Sequence, residues 1–176
     1  MHKKISKNCT ILYLHFFRLS FIIRIERGKE IIKMRKEIWF DMDGTIADLY
    51  GVENWLEMLQ NEDPTPYIEA RPLVRMASLA RVLNRLQRNG YTIGIVSWLS
   101  RNGSPEYNEK VAAAKIAWLH RHLASVTFDR INILVYGTPK EIGRNGILFD
   151  DELENRENWN GIAYDVNEIL PILRAL

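Results

Sequence analysis

An α/β fold, with a parallel sheet flanked by helices, is what this chain predicts, and three observations predict it. Short apolar runs recur at residues 38–40, 91–96, 131–136, 146–149 and 162–164. Helical patterns fill most of the intervals between them, and strands alternating with helices build parallel sheets. Asp41, Ser97 and Asp150 each end or follow one of those runs. They would therefore meet outside the carboxyl ends of the strands, where open α/β sheets bind ligands.

The elements follow in order. Residues 38–40 are a buried strand by their unbroken apolar run, ending at an acidic turn. Leu49, Val52, Leu56 and Leu59 stand near helical spacing, and Asn-Glu-Asp-Pro-Thr-Pro at 61–66 breaks the pattern, which predicts a small helical insert at about 46–71. Arg71-Pro72 is expected to open a longer helix, with Leu73, Met76, Ala80, Leu83 and Leu86 on one face and Asn89-Gly90 closing it. Residues 91–96 are β-branched enough for a second strand, which delivers Ser97 to its end. Ser104-Pro105 supplies a capping hydroxyl and a proline at the first helical position. The helix it starts, with Val111, Ala114, Trp118 and Leu119 as its buried stripe, is expected to run to about His122. Strands at 131–136, 146–149 and 162–164 and a closing helix complete the list.

The chain has 176 residues, 47% of them hydrophobic and 26% charged, the range of an ordinary globular domain. Its one cysteine, Cys9, cannot make an internal disulfide and offers no zinc framework, so a reducing cytoplasm is the expected compartment. The net charge of +2 hides an asymmetry: residues 1–33 carry eight Lys/Arg against two acids, leaving 16 against 20 and a net −4 for the rest. Such a basic start suits an electrostatic arm for nucleic acid or a membrane surface. The apolar stretch at 9–25, however, is interrupted by His15 and Arg18 and is shorter than the roughly 20 residues of a membrane span. Arg-Ile-Glu-Arg-Gly-Lys-Glu follows it, where a secretory signal would place a small-residue cleavage site. Met34, directly before Arg-Lys-Glu-Ile-Trp-Phe, is a natural opening to the first strand. Gly28-Lys29-Glu30 can be encoded by a purine-rich, ribosome-binding type of sequence just upstream. The expectation is a doubtful extension at 1–33 and a working domain at 34–176.

The chemistry lies in Trp-Phe-Asp-Met-Asp-Gly-Thr-Ile-Ala-Asp at residues 39–48. A carboxylate at a strand end can attack phosphorus, and a second one two residues on can carry the proton that a leaving oxygen needs. A phosphate monoester repels a bare anion, so neighbouring charge must be neutralised. Asp41 with Asp150 makes sense around Mg²⁺, which favours carboxylates, waters and phosphate oxygens in octahedral geometry. The alternative, a merely solvated Asp-x-Asp-Gly turn, leaves the distant Ser97 and Asp150-Asp151 unexplained. Thr45 is expected to tie the turn through its hydroxyl and Asp48 to cap or orient it. His120 and His122 lack a nearby nucleophile motif and are expected at the surface or in packing.

These motifs resemble the first and last motifs of the haloacid dehalogenase-like phosphohydrolases. The resemblance implies a Rossmann-like core with a small cap insert and an Mg²⁺-dependent phosphatase. It implies Asp41 as the nucleophile that becomes an aspartyl phosphate and Asp43 as the acid/base, with the Asp43 backbone carbonyl also a metal ligand. It further implies Ser97 as a binder of a phosphoryl oxygen, Lys140 in Gly-Thr-Pro-Lys as the neutralising lysine, and Asp150 and Asp151 as the final metal-binding pair. Asp150 would lie inside and Asp151 support it. Lys115 competes with Lys140; its place on a helix beside Ala114 and Trp118 also suits a solvated face.

Residues 37–165 further resemble the 5′(3′)-deoxyribonucleotidase branch, through Tyr107, Glu109-Lys110, Trp118, Lys140 shortly before Asp150-Asp151, and the tail Asn155, Trp159 and Gly161. That likeness implies a nucleoside monophosphate as substrate. The insert is short for a cap, which leaves the cleft open to larger phosphorylated substrates, a nucleic-acid end as the less favoured case, or a second subunit acting as lid in a homodimer. Tyr50, Trp55, Tyr67 and Trp98 could stack on a base or simply pack inward. The rival reading is a phospholigand-binding or regulatory protein that keeps the site without turnover; a sugar phosphate would keep the mechanism and change the substrate. No membrane partner is expected.

Overall fold

The computed structural model describes residues 36–176 continuously and, before them, three strands by their backbone pairing: β1 (Ile11–Phe16), β2 (Leu19–Glu26) and β3 (Lys29–Lys33), an antiparallel meander. Cys9 and Met34 lie outside the described residues, so the expectation of a start at Met34 does too. No helix among the described residues is long and apolar enough to cross a membrane.

A five-stranded parallel sheet organises the rest. Its order is β10 (Ile162–Tyr164), β9 (Ile147–Phe149), β4 (Glu37–Phe40), β7 (Thr92–Trp98) and β8 (Arg130–Leu134), the expected α/β Rossmann-like arrangement. The chain leaves β4 toward β7 and β8, then returns to place β9 and β10 on the other side. This reversal opens a crevice beside the carboxyl end of the central strand. Ile38, Trp39 and Phe40 are all buried, as a strand covered on both faces requires. Phe40 pairs with Ile95 on one side and Phe149 on the other, so the residues that follow these strands emerge side by side.

The two faces are packed differently. Phe40 stacks on Phe149, with ring centroids 5.2 Å apart, within a cluster that also takes Leu79, Leu83 and Leu86 of α3 (Met76–Arg88) and Leu173 of α6 (Ile169–Ala175). On the opposite face Trp39 meets Trp159 edge-on, between Val96 and Leu148. Gly94 is needed beneath that indole, because a Cβ there would stand 2.4 Å from the Trp39 ring. The helix α4 (Pro105–His122) starts as its residues require, with the Ser104 hydroxyl accepting from the Tyr107 N–H at 3.2 Å.

An insert rises between β4 and α3: a 3-10 turn at Leu49–Gly51, then α1 (Trp55–Gln60) and α2 (Thr65–Glu69). The expected continuous helical stretch from 49 to 60 is broken, because Asp48 caps the turn by accepting from the Gly51 N–H at 3.0 Å and Asn54 turns left-handed, φ 56°. A second correction concerns Arg71-Pro72, which does not open the long helix. It forms β6 (Arg71–Pro72), antiparallel to β5 (Ala47–Asp48), and helix α3 starts only at Met76. Proline suits a first helical turn, but it also suits a short edge strand, and here the Leu73 N–H is drawn to the Ile46 carbonyl at 3.0 Å. Leu73 is left 46% exposed and off the apolar face of α3. The two-stranded ladder closes the base of the insert. One unforeseen element, α5 (Leu153–Asn158), follows Asp150-Asp151.

Candidate functional site

The ends of four neighbouring strands bring Asp41, Asp43, Ser97, Lys140, Asp150 and Asp151 together. Asp41 follows β4, and its N–H donates to the Phe149 carbonyl at 2.9 Å, which sets it beside Asp150 after β9. Ser97 is the penultimate residue of β7, and Lys140 comes from the loop after β8. Gly44 turns the chain away: its φ is +73°, and a Cβ there would stand 2.4 Å from Asp151 Oδ2. Thr45 stitches the two acidic loops together. Its hydroxyl donates to Asp151 Oδ1 at 3.0 Å and accepts from the Asp151 N–H at 3.1 Å. Thus Thr45 ties two loops rather than its own turn alone, while Asp48 is the cap of the adjacent 3-10 turn.

Two lysines divide the carboxylates between them. Lys140 Nζ lies 3.0 Å from Asp41 Oδ1 and 2.8 Å from Asp150 Oδ2. Burial works against its charge, but Asp41 and then Asp150 outweigh that and raise its pKa. Lys115 Nζ donates to Asp43 Oδ2 at 2.6 Å, to Ser97 Oγ at 2.9 Å and to the Trp98 carbonyl at 2.6 Å. The solvated-face expectation for Lys115 is therefore overturned: it is 1% exposed. Its position carried the signal, since Val111, Ala114, Lys115 and Trp118 share the spacing of one buried helical stripe. Ser97 accepts from Lys115 and so keeps its own proton to donate into the cleft.

Asp150 is the deeper member of the final pair, and both of its oxygens are engaged. Oδ2 accepts from Lys140, and Oδ1 accepts from the Glu152 N–H and from Asn155 Nδ2, each at 3.0 Å. Arg156 holds the Asp150 and Asp151 carbonyls at 2.7 and 2.6 Å. By contrast, Asp41 Oδ2 and Asp151 Oδ2 accept no hydrogen bond among the described residues. Asp41, Asp150 and Asp151 each offer an oxygen within 4.8 Å of the others, an all-oxygen set of the kind hard divalent cations take. Crowding of these acids shows in their proton affinities. Burial first, then the Asp41 charge, pushes Asp150 up to about 6 and Asp151 up to about 7. Burial also lifts Asp43 above the usual carboxylate range, against the pull of the Lys115 ammonium.

Asp41 and Asp43, with Ser97 and Lys140, open into a cleft of about 480 Å³, while Asp150 and Asp151 stand behind its lining. Tyr50, Trp55, Leu56 and Tyr67 of the insert form one wall; Trp98, Arg101 and Tyr136 belong to the other. Tyr50 and Trp55 pack edge-on at 5.0 Å, and Trp98 and Tyr136 pack tilted at 5.1 Å. All four aromatics considered as stacking candidates thus line the cleft, Tyr67 buried and Tyr50 half exposed. The other residues of the nucleotidase-like pattern divide by place. Tyr107 and Trp118 are core, Asn155 supports Asp150, and Trp159 donates to the Gly146 carbonyl behind the sheet at 3.1 Å. His122 packs against Trp118. Comparison of the chain with protein-family models, with curated proteins and with solved structures gives no match.

Proposed function

We propose that this protein is a Mg²⁺-dependent phosphatase acting on a phosphate monoester, with a nucleoside monophosphate as the favoured substrate. One observation carries the reading. Asp41 faces the cleft with one oxygen on Lys140 and the other without a protein donor, and Asp43, two residues on, is a partly buried carboxyl with raised proton affinity. Nucleophile and acid are adjacent, differently partnered, and reach the same cavity.

In the mechanism this supports, Asp41 attacks phosphorus and the bond from phosphorus to the ester oxygen breaks. The departing oxygen takes the Asp43 proton. The Asp43 carboxylate then takes a proton from water, whose oxygen attacks the phosphorus of the aspartyl phosphate, freeing phosphate and Asp41. Ser97 donates to a phosphoryl oxygen, and Lys140 holds Asp41 while offsetting the charge gathered on the phosphoryl group. Asp41, Asp151 and the anchored Asp150 fit Mg²⁺ as a donor set, with the Asp43 carbonyl expected from the family likeness. Bound there, the ion would neutralise phosphate charge and orient the group for in-line attack. The aromatic walls support a substrate with a flat ring, and the cleft volume suits a nucleotide better than a bare sugar phosphate.

Phosphate release from a panel of deoxy- and ribonucleoside monophosphates and sugar phosphates, with Mg²⁺, tests the proposal. Asp41→Asn should lower kcat by at least about 10³-fold with the fold retained. Undiminished release in a clean preparation of that variant would sink the assignment. Mg²⁺-dependent binding with no release from any substrate would instead favour a phospholigand-binding protein.

A further inference from the structure

Among the described residues two cationic side chains line the cleft, and they are in opposite states. Lys140 is committed to Asp41 and Asp150 at its floor. Arg101, in the loop after β7, has no ion pair or hydrogen bond among the described residues; its guanidinium lies over the Tyr136 ring, 5.5 Å from the centroid. A guanidinium placed over a ring face spends none of its N–H donors on it, and those donors form the fork that matches a phosphate. Between the two cations runs a continuous row. Lys140 Nζ sits 4.4 Å from the Trp98 ring centre, Trp98 packs on Tyr136, and Tyr136 carries Arg101. The row is fixed in place, since Trp98 Nε1 donates to the Thr138 carbonyl at 2.8 Å and the Leu99 N–H to the Leu134 carbonyl at 2.6 Å.

We infer that Arg101 is a second anion subsite of this cleft, which takes a phosphoryl group of the ligand other than the one held at Asp41, Ser97 and Lys140. The inference rests on the proposed function for the identity of the first phosphate. A ligand filling the row has one phosphate at the floor, a flat ring along Trp98 and Tyr136, and a further phosphate at the rim. A nucleoside 3′,5′-bisphosphate and a 5′-phosphorylated dinucleotide share that chemistry; the second phosphate is terminal in one and bridging in the other.

Calorimetric titration of the full chain with Mg²⁺ tests this, using non-hydrolysable methylenephosphonates in place of the 5′-phosphate. The ligands are the mononucleotide analogue, the same analogue with a second phosphonate at its 3′ oxygen, and the dinucleotide analogue. At least one ligand with a second phosphoryl or phosphonyl group should bind about tenfold tighter than the mononucleotide, on the scale of one charge-assisted contact. Which one does so assigns the second phosphate as terminal or bridging. Arg101→Ala should bring that ratio to within about twofold of unity, and Arg101→Lys, without the fork, should keep part of it. The ratio should also shrink as salt is added. Equal affinity for all three ligands, no measurable affinity for any, or a preference that survives in Arg101→Ala would overturn the inference. If the preference holds while no natural phosphate ester is hydrolysed, only the phosphatase reading falls.

Discussion

Lys115 uses all three ammonium protons inside the protein, on Asp43, Ser97 and the Trp98 carbonyl, so it fixes the acid/base candidate and the phosphate-binding hydroxyl relative to each other. Removing it leaves a largely buried carboxylate without its cation. Breaking a buried pair from one side commonly costs about 3 kcal/mol or more. Lys115→Met is therefore expected to destabilise on that scale, while Asp43→Asn, which leaves the lysine two partners, costs less. The double variant removes the orphaned charge and should recover about 1 kcal/mol or more relative to the sum of the single changes. Denaturant titration of the four proteins reads this directly, and strictly additive losses would mean that the pair is not coupled. The reach of Lys115 into the site was present in the sequence as a place on a buried stripe, yet a lysine at such a position is ordinarily read as solvated because its charge is costly to bury. Asp41, Asp43 and Asp150-Asp151 were legible for the opposite reason: acids directly after apolar strands have few structural explanations.

At the scale of elements, the insert is held to the core by a few polar ties. Glu62 accepts from the Ser104 N–H and from the Ser104 hydroxyl, both at 2.7 Å, and the Tyr107 hydroxyl donates to the Asp63 carbonyl at 3.1 Å. Helix α1 buries none of its own residues, although Leu59 packs on the cluster in which Leu49 and Tyr67 of the insert meet Tyr107, Val111 and Ala114 of α4, so these ties add to that packing in setting how α1 stands over the cleft. Glu62→Ala should accelerate amide exchange through Trp55–Gln60 with little change in the exchange of the sheet. Because Glu62 has a φ of 56°, Glu62→Gly is the control that removes the carboxylate while relaxing the backbone. Faster exchange in both variants assigns the effect to the carboxylate; faster exchange in Glu62→Ala alone assigns it to the backbone. The strands after Phe40 were readable from runs of apolar residues, and the start of α4 from Ser104-Pro105, because each signal is local. The ladder of Ala47–Asp48 with Arg71–Pro72 was not, since its two halves are over twenty residues apart and Pro72 carries the same signal for a helix start as for an edge strand. Glu62 and Ser104 likewise meet only through the fold.

For the molecule as a whole, gathering acids at one sheet edge couples stability to pH and to cations. A carboxyl in an unfolded chain ionises near about pH 4. In the folded protein Asp150 does so at about 6 and Asp151 at about 7, because burial and then the Asp41 charge oppose their ionisation. Above about pH 4 the unfolded chain therefore holds fewer protons at these positions than the native protein. Their contribution to stability is fully present below that point and is lost as pH rises through about 6 to 7. Without divalent cations, these groups should lower the Tm between about pH 5 and about pH 8. Mg²⁺ binds the deprotonated carboxylates of the native state and must displace protons at the lower pH, so its stabilising effect should be larger at the higher one. Calorimetric scans at both pH values, with and without millimolar Mg²⁺, measure the four Tm values. Asp151→Asn, which removes the group with the highest of the two values and one open oxygen, should flatten the pH dependence and reduce the Mg²⁺ gain together. A Tm gain from Mg²⁺ that is the same at both pH values and unchanged in Asp151→Asn would show that the ion binds elsewhere, and would remove the acidic edge from the proposed chemistry.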